Sequence, residues 1–456
     1  MSFLPWIGIV VIVLTSVLLL RRVQTNMLLL FSGLLMIFIA VGFGVTDFLP
    51  KGAKSTGFVG FDVFELMRQI SVKQISGIGL LIMTAGGFAG YMDKIGAARA
   101  LVKVCTEPLK KLRSPYLVLM MAYLVGQFLI SVIPSAAGLA MLLLVALFPI
   151  LKGVGVSPAA AGAVIACSAG MTFAPTSGTA NLAAKVADID PIVYAVHYQW
   201  PVAVFALTAV AIAHYFVQKY FDSKGKETYL NTANLRSIDG ENAPSWYAIF
   251  PILPIVLMVV FSKLVYTKVQ LNTISALLLV WVFVILLEII RKRDVKKVFS
   301  DATEFFKKMG GMFASIVALI ICAEMFAAGI KVTGVISLLI DSAQDFGFGM
   351  TGMVTVLSAI VGAVTFLTGS GVGAYSSFAS LAPDIASALG GETIAFVVPM
   401  QFASGMIRSM SPVAGVILAV SGAIGLSPVA LIRRTIIPMM IGMLVILAAN
   451  WFMFIR

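Results

Sequence analysis

Charge is scarce in this chain. Asp, Glu, Lys and Arg make up only 11% of its 456 residues, whereas a soluble domain carries roughly 25%. A water-covered globule is therefore excluded. Cysteine is scarcer still: Cys105, Cys167 and Cys322 are scattered and odd in number, which leaves no disulfide framework and no metal-ligand spacing. The two histidines, His197 and His214, stand at no zinc-site spacing from those cysteines, so no metal is expected. No GxxxxGK[ST] motif occurs, which argues against a nucleotide-driven pump. No histidine or aspartate pair stands at a candidate nucleophile, so an enzyme is not expected and no cofactor is implied. No helical stretch carries a regular polar stripe, so a channel lacks its pore lining.

What is present is apolar length. The chain is 60% hydrophobic with a mean hydropathy of +1.04, and runs near 20 residues mark helices that cross the hydrocarbon core. The net charge of +12 does not signal nucleic acid, because the basic residues lie in short loops between apolar spans, as orientation by positive loops requires. Crossings are expected at about 5–20, 27–45, 76–92, 158–187 and 200–219, and again at 246–262, 270–290, 309–328, 396–425 and 435–455. The first stretch lacks a basic leader and a small-residue cleavage site, and reads as a retained helix. A polar linker, Phe221 to Ser245, joins the halves 1–220 and 246–456. Residues 115–151 and 350–389 each hold two apolar arms of roughly 15 residues around a break, too short to span, which predicts re-entrant hairpins.

With five crossings and one hairpin in each half, the second half must enter the membrane inverted. Basic residues agree. The loop after the third crossing holds Lys94, Arg99, Lys103, Lys110, Lys111 and Arg113, whereas its counterpart at 329–349 holds only Lys331 against Asp341 and Asp345. Conversely, the loop at 288–308 is rich in Lys and Arg and its counterpart at 46–75 is mixed. Basic loops in the cytoplasm put both termini outside. They also leave Arg408 as the one basic residue placed inside the membrane.

The hydrophobic stretches are interrupted in matched places. Pro134, Ser135 and Gly138 break the first hairpin; Thr176, Ser177, Gly178 and Thr179 break a later span, with Asn181 just beyond. In the second half, Thr368, Gly369, Ser370 and Gly371 form one break, and Ser409, Ser411 and Pro412 the other. Ser135 to Thr176 is 41 residues, as is Ser370 to Ser411. Residues 153–178 also align without gaps onto 390–415, a register two residues away from the one that pairs Thr176 with Ser411. Paired helix breaks in corresponding places point to a transporter's substrate site. Each break exposes backbone N–H groups at the positive end of a half-helix, and small hydroxyl side chains add donors, which suits a carboxylate. One such cluster reads most simply as close helix packing; four at matched spacing read better as a site for a ligand anionic at both ends.

Arg408 sits in an uncharged stretch from Ile394 to Val429. Its planar fork can grip a carboxylate with two hydrogen bonds; the competing reading ties it to backbone carbonyls at the break. Glu324 in the eighth crossing is either a proton-relay carboxylate or a paired packing residue. Asp384 reads as a helix cap, and His214 as an interfacial residue.

The segments GFAGYMDKIGA (87–97), SPYLVLMMAY (114–123), FPILKGVGVSPAAA (148–161), APTSGT (174–179) and RSMSPVAGV (408–416) resemble the anaerobic C4-dicarboxylate carriers of the DcuC type, within the ion transporter superfamily, over residues 45 to 440. The resemblance implies an all-α polytopic protein of two inverted repeats with re-entrant hairpins. It also implies a homodimeric scaffold with elevator-type transport regions, in a bacterial inner membrane. The implied activity is secondary transport of succinate, fumarate or malate by efflux, exchange or proton coupling. A related carrier of amino acids or short-chain acids, or a sodium/proton antiporter, is the alternative. Sodium-coupled dicarboxylate members carry Ser-Asn-Thr at the hairpin tips. Here the tips read Ser135-Ala136-Ala137 and Gly369-Ser370-Gly371, which favours proton coupling or exchange.

Overall fold

The computed structural model describes residues 3–21, 23–50, 53–225, 243–261, 269, 271–336, 338 and 349–456. Most of the expected linker, residues 226–242, lies outside the described residues, as does most of the loop at 329–349. The helices that frame the molecule are α1 (Leu4–Leu20), α2 (Thr25–Gly42), α3 (Val59–Lys94), α4 (Pro115–Val132), α5 (Ala136–Ala146), α6 (Pro158–Cys167), α7 (Gly178–Val186) and α8 (Pro191–Lys224). They continue with α9 (Leu253–Val260), α10 (Thr273–Lys292), α11 (Val295–Val332), α12 (Met350–Thr368), α13 (Gly371–Ala379), α14 (Ile394–Arg408), α15 (Gly415–Ile424) and α16 (Pro428–Ile455). Among the described residues, eight are long and apolar enough to cross a membrane: α2, α3, α4, α8, α10, α11, α12 and α16. The protein is thus an all-helical, multi-pass membrane protein. Helices suit that solvent because every backbone group is satisfied within the segment.

Local chemistry sets the helix starts. Pro115, Pro158, Pro191 and Pro428 occupy first positions, where the absent N–H has no partner to lose. Ser157 and Ser427 cap their helices by accepting the backbone N–H groups of Ala160 and Ala430.

The helices pack in two groups. α2 and α3 lie on α11, and α10 on α3 and α9; α8 lies on α4 and α16, and α14 on α12 and α16. The groups meet where α13 packs on α11, α14 and α7. α3 and α11 each contain one π turn, Ile75–Gly79 and Phe313–Val317, and the two turns touch. Both helices that lead into the later breaks are enclosed on every side: Ala159 to Cys167 of α6 and Ile394 to Met406 of α14 are all buried. A helix apolar all round belongs inside. By contrast Leu279, Leu286 and Ile290 of α10 and Val204, Phe205 and Phe216 of α8 are exposed, as a lipid-facing surface requires.

Three expectations need correction. Of the ten crossings expected, 5–20, 158–187, 246–262 and 396–425 are not among these eight helices, and the stretches 158–187 and 396–425 are each divided by a break into shorter helices. The hairpin arms are unequal: α4 and α5 have 18 and 11 residues, α12 and α13 have 19 and 9. The first arms therefore reach spanning length. Hydropathy measures total apolar length, but the stop is set locally, by Pro134, which has no N–H, and by Gly369, whose φ of +74° ends α12 in a left-handed cap. His214 is fully buried, not interfacial; it lies against Tyr123 and within hydrogen-bonding distance of Gln218, because α8 is covered there by α4 and α16.

Candidate functional site

The four breaks are tied together by the same bonds in each half. Ser135 Oγ accepts the Gly138 N–H at 3.3 Å, and Ser370 Oγ accepts the Gly373 N–H at 3.2 Å; both are N-caps that satisfy donors with no intrahelical partner. Thr176 Oγ1 donates to the Ser131 carbonyl at 2.9 Å, and Ser411 Oγ to the Phe366 carbonyl at 2.6 Å. Each bond reaches back 45 residues, to a carbonyl in the last turn of the first hairpin arm. The recurring 41-residue interval is therefore one tertiary contact made twice. Thr368 accepts the Ser370 N–H and donates to Val364.

Between α6 and α7 the hydroxyls form a short chain: Thr172 with Thr179 at 3.1 Å, and Thr179 with Ser177 at 3.2 Å. Asn181 donates its amide hydrogens to the carbonyls of Pro175 and Ser177, at 2.6 and 2.8 Å, and its Oδ1 is buried without a partner among the described residues. It holds the break's backbone. Between α14 and α15, Ser409 bonds to the Ala166 carbonyl and accepts Thr435 on its own carbonyl, and Pro412 follows Ser411 in the loop. Gln401 accepts from Tyr194 and Gln199 and donates to the Thr172 carbonyl, which braces the first break against α14. Backbones approach closely here. A Cβ added at Gly371 would lie 2.2 Å from the Ser404 carbonyl oxygen, and one at Gly405 would lie 2.3 Å from that of Gly170.

These elements enclose a cavity of about 70 Å³. Of the expected residues, Pro134, Ser177, Gly178, Thr179, Gly371 and Arg408 line it. Ser135, Gly138, Thr176, Asn181, Thr368, Gly369, Ser370, Ser409, Ser411 and Pro412 shape its surroundings without lining it. Sequence reasoning missed Thr172, Ser404 and Gly405, which line the cavity, and Gln401, which supports it. Arg408 Nη2 donates to the Ala169 carbonyl at 2.7 Å, while its Nε is buried without a partner among the described residues. The guanidinium is thus tied at one corner and left unsatisfied at another. The first turns of α7 and α13 also face the cavity, with the partial positive charge of helix N-termini. The arrangement can hold an anion. Glu324 lies elsewhere, in a second cavity of about 410 Å³ with Lys73, Gln74 and Lys185.

A family profile described as C4-dicarboxylate anaerobic carrier, DcuC, matches residues 4–454, which extends the resemblance to nearly the whole chain. The chain is 33% identical over 446 residues to the anaerobic C4-dicarboxylate transporter DcuC of Escherichia coli K12, covering 97% of this chain and 95% of that one. It is 32% identical over 442 residues to the probable anaerobic C4-dicarboxylate transporter DcuC of Vibrio cholerae, covering 97% and 96%. Among solved structures, the YdaH transporter of Alcanivorax borkumensis superposes with a TM-score of 0.62 at 15% identity, covering 94% of this chain and 98% of that one. MtrF of Neisseria gonorrhoeae superposes with a TM-score of 0.60 at 12% identity, covering 95% of both. At those identities the likeness concerns the fold alone.

Proposed function

This chain belongs to the DcuC family of anaerobic C4-dicarboxylate carriers, and from that premise we propose that it transports C4-dicarboxylates by binding them in the cavity between its four breaks. It is a transporter and not an enzyme. The observation that carries the reading is the partly unpartnered Arg408 guanidinium facing a cavity lined from both halves. One carboxylate satisfies the unpartnered Nε edge of Arg408. The other meets the first turn of α7, where Ser177 and Thr179 supply hydroxyl donors.

The matched ties of the breaks, the paired π turns and the switch of basic loops support two inverted repeats, 1–220 and 246–456, with α5 and α13 as the return arms of hairpins. The two packing groups support a scaffold and a moving transport region. By size, the central cavity has room for roughly five waters, which suits a conformer closed around its site. Basic loops in the cytoplasm and both termini outside, in a bacterial inner membrane, complete the topology; the homodimer rests on the family resemblance. Exchange or proton coupling is favoured over sodium because the hairpin tips lack side-chain sodium ligands. As a relay, Glu324 would act from the second cavity.

Counterflow in proteoliposomes tests the function, using succinate, fumarate and malate against monocarboxylates and amino acids, with and without sodium. The dicarboxylates should exchange without sodium. Exchange of an amino acid or monocarboxylate alone would overturn the reading.

A further inference from the structure

The second cavity is much the larger, with room for roughly thirty waters by the same measure, and its charges are arranged for a ligand. Lys185 Nζ donates to Gln74 Oε1 at 2.8 Å, and Glu324 lines the same cavity as both. The Lys185 ammonium is thus held by a neutral amide, and among the described residues it forms no ion pair with Glu324. Lys73 lines the same space and acts electrostatically on both Lys185 and Glu324. Nearby, Lys331 pairs with Asp384 and Arg68 with Glu65, so those groups cancel. One positive charge is left in excess.

Position links the two cavities. Lys185 lies in the last turn of α7, and Gly178 and Thr179 in its first turn line the central cavity. Seven residues of helix separate them, about 10 Å. The ammonium stands against the π turn of α3, where Gly77 departs from helical geometry; a Cβ there would lie 3.2 Å from Nζ. The kink leaves room beside the charge.

We propose that this cavity is a second, peripheral binding site for C4-dicarboxylates, which holds substrate at the membrane face bearing loop 43–58 before entry to, or after release from, the central cavity. The inference rests on the transport reading above. A substrate carboxylate replaces the neutral Gln74 amide on Lys185 with a charge-assisted bond, the stronger kind. The second carboxylate is drawn to Lys73, and Glu324 opposes binding by competing for the same cations.

The test is homoexchange of labelled succinate in proteoliposomes, with KM measured separately from each face. Lys185→Gln should raise KM at the loop 43–58 face about tenfold, the effect of roughly 1.4 kcal/mol, while the other KM and the maximal rate move less than about twofold. Lys185→Arg should restore it, and Glu324→Gln should lower the same KM. Equal increases at both faces would mean that Lys185 acts on the fold or the central site, and would overturn the proposal, as would KM values that do not move. If Lys185→Gln fails to fold, exposed Lys73→Gln decides: a one-sided rise supports the site and no rise refutes it. A parent that exchanges no dicarboxylate overturns the transport reading and this site together, whereas normal exchange with unmoved KM values overturns the site alone.

Discussion

In the first half the break runs from 168 to 177, and its hydroxyls bond largely to one another and to the hairpin beside them. In the second half it runs only from 409 to 414 and is entered through Arg408, whose side chain crosses to the first half's Ala169 carbonyl. The caps and the Thr176 and Ser411 ties are common to both. Arg408 and Gln401 have no counterpart in the first half, and Asn181 none in the second. Duplication is expected to preserve whatever holds the frame. Groups present on one side only are those free to specialise for an asymmetric task, such as gripping one end of a substrate. This comparison divides the site into a shared frame and an unshared recognition set.

The largest effect should come from the unshared set. Arg408→Lys keeps the charge but loses the fork, and should impair succinate exchange severely while the protein stays folded, since the single charged tie to Ala169 is worth only about 1.5–3 kcal/mol. Arg408→Ala should weaken succinate binding by about 3–5 kcal/mol, the cost of removing one member of a buried charge pair, or a hundredfold and more. Thermal stability of the purified variants, with and without succinate, is the measurement. If both variants fold and succinate stabilises them as it does the parent, Arg408 is a structural tie and the division fails.

A smaller effect should appear where the halves touch. Gly405 and Gly170 face each other, but the obstacles differ. A Cβ at Gly405 meets the Gly170 carbonyl oxygen at 2.3 Å, whereas one at Gly170 first meets the flexible Met439 Sδ at 3.0 Å. Gly405→Ala should therefore cost about 1–3 kcal/mol, the usual range for overpacking, and Gly170→Ala less. Denaturation in detergent would show it; equal costs would mean that the crossing relaxes as a unit.

The breaks were legible because Pro, Ser and Gly interrupt apolar runs that otherwise reach spanning length, and because one contact made twice leaves one interval twice. The arm lengths were not, since hydropathy does not locate the stop. Thr172, Ser404 and Gly405 looked like ordinary small residues of apolar helices; what marks them is approach by Thr179 or by backbone from another helix. Lys185 is the plainest omission. It lies within the stretch 158–187 expected to cross, where a charge should have drawn notice beside Arg408, but its partner Gln74 is 111 residues away. The π turns leave no compositional trace.

The smallest effect concerns the shared frame and should be the most even. Thr176→Val and Ser411→Ala each remove one hydroxyl donor from a carbonyl in the last turn of a hairpin arm. Each should lower stability by about 1 kcal/mol, the net worth of one hydrogen bond, and by more if the carbonyl is then left buried and unsatisfied. Because both bonds span the same interval and end on equivalent turns, the two losses should agree within a few tenths of a kcal/mol, and the double variant should be additive, as expected for sites that share no partner. Succinate affinity should fall similarly in both, since each bond positions a break without lining the cavity. Matched thermal unfolding of the single and double variants measures this. If one variant is silent and the other costs several kcal/mol, the two ties are not equivalent, the 41-residue interval is coincidental, and the frame is carried by one half.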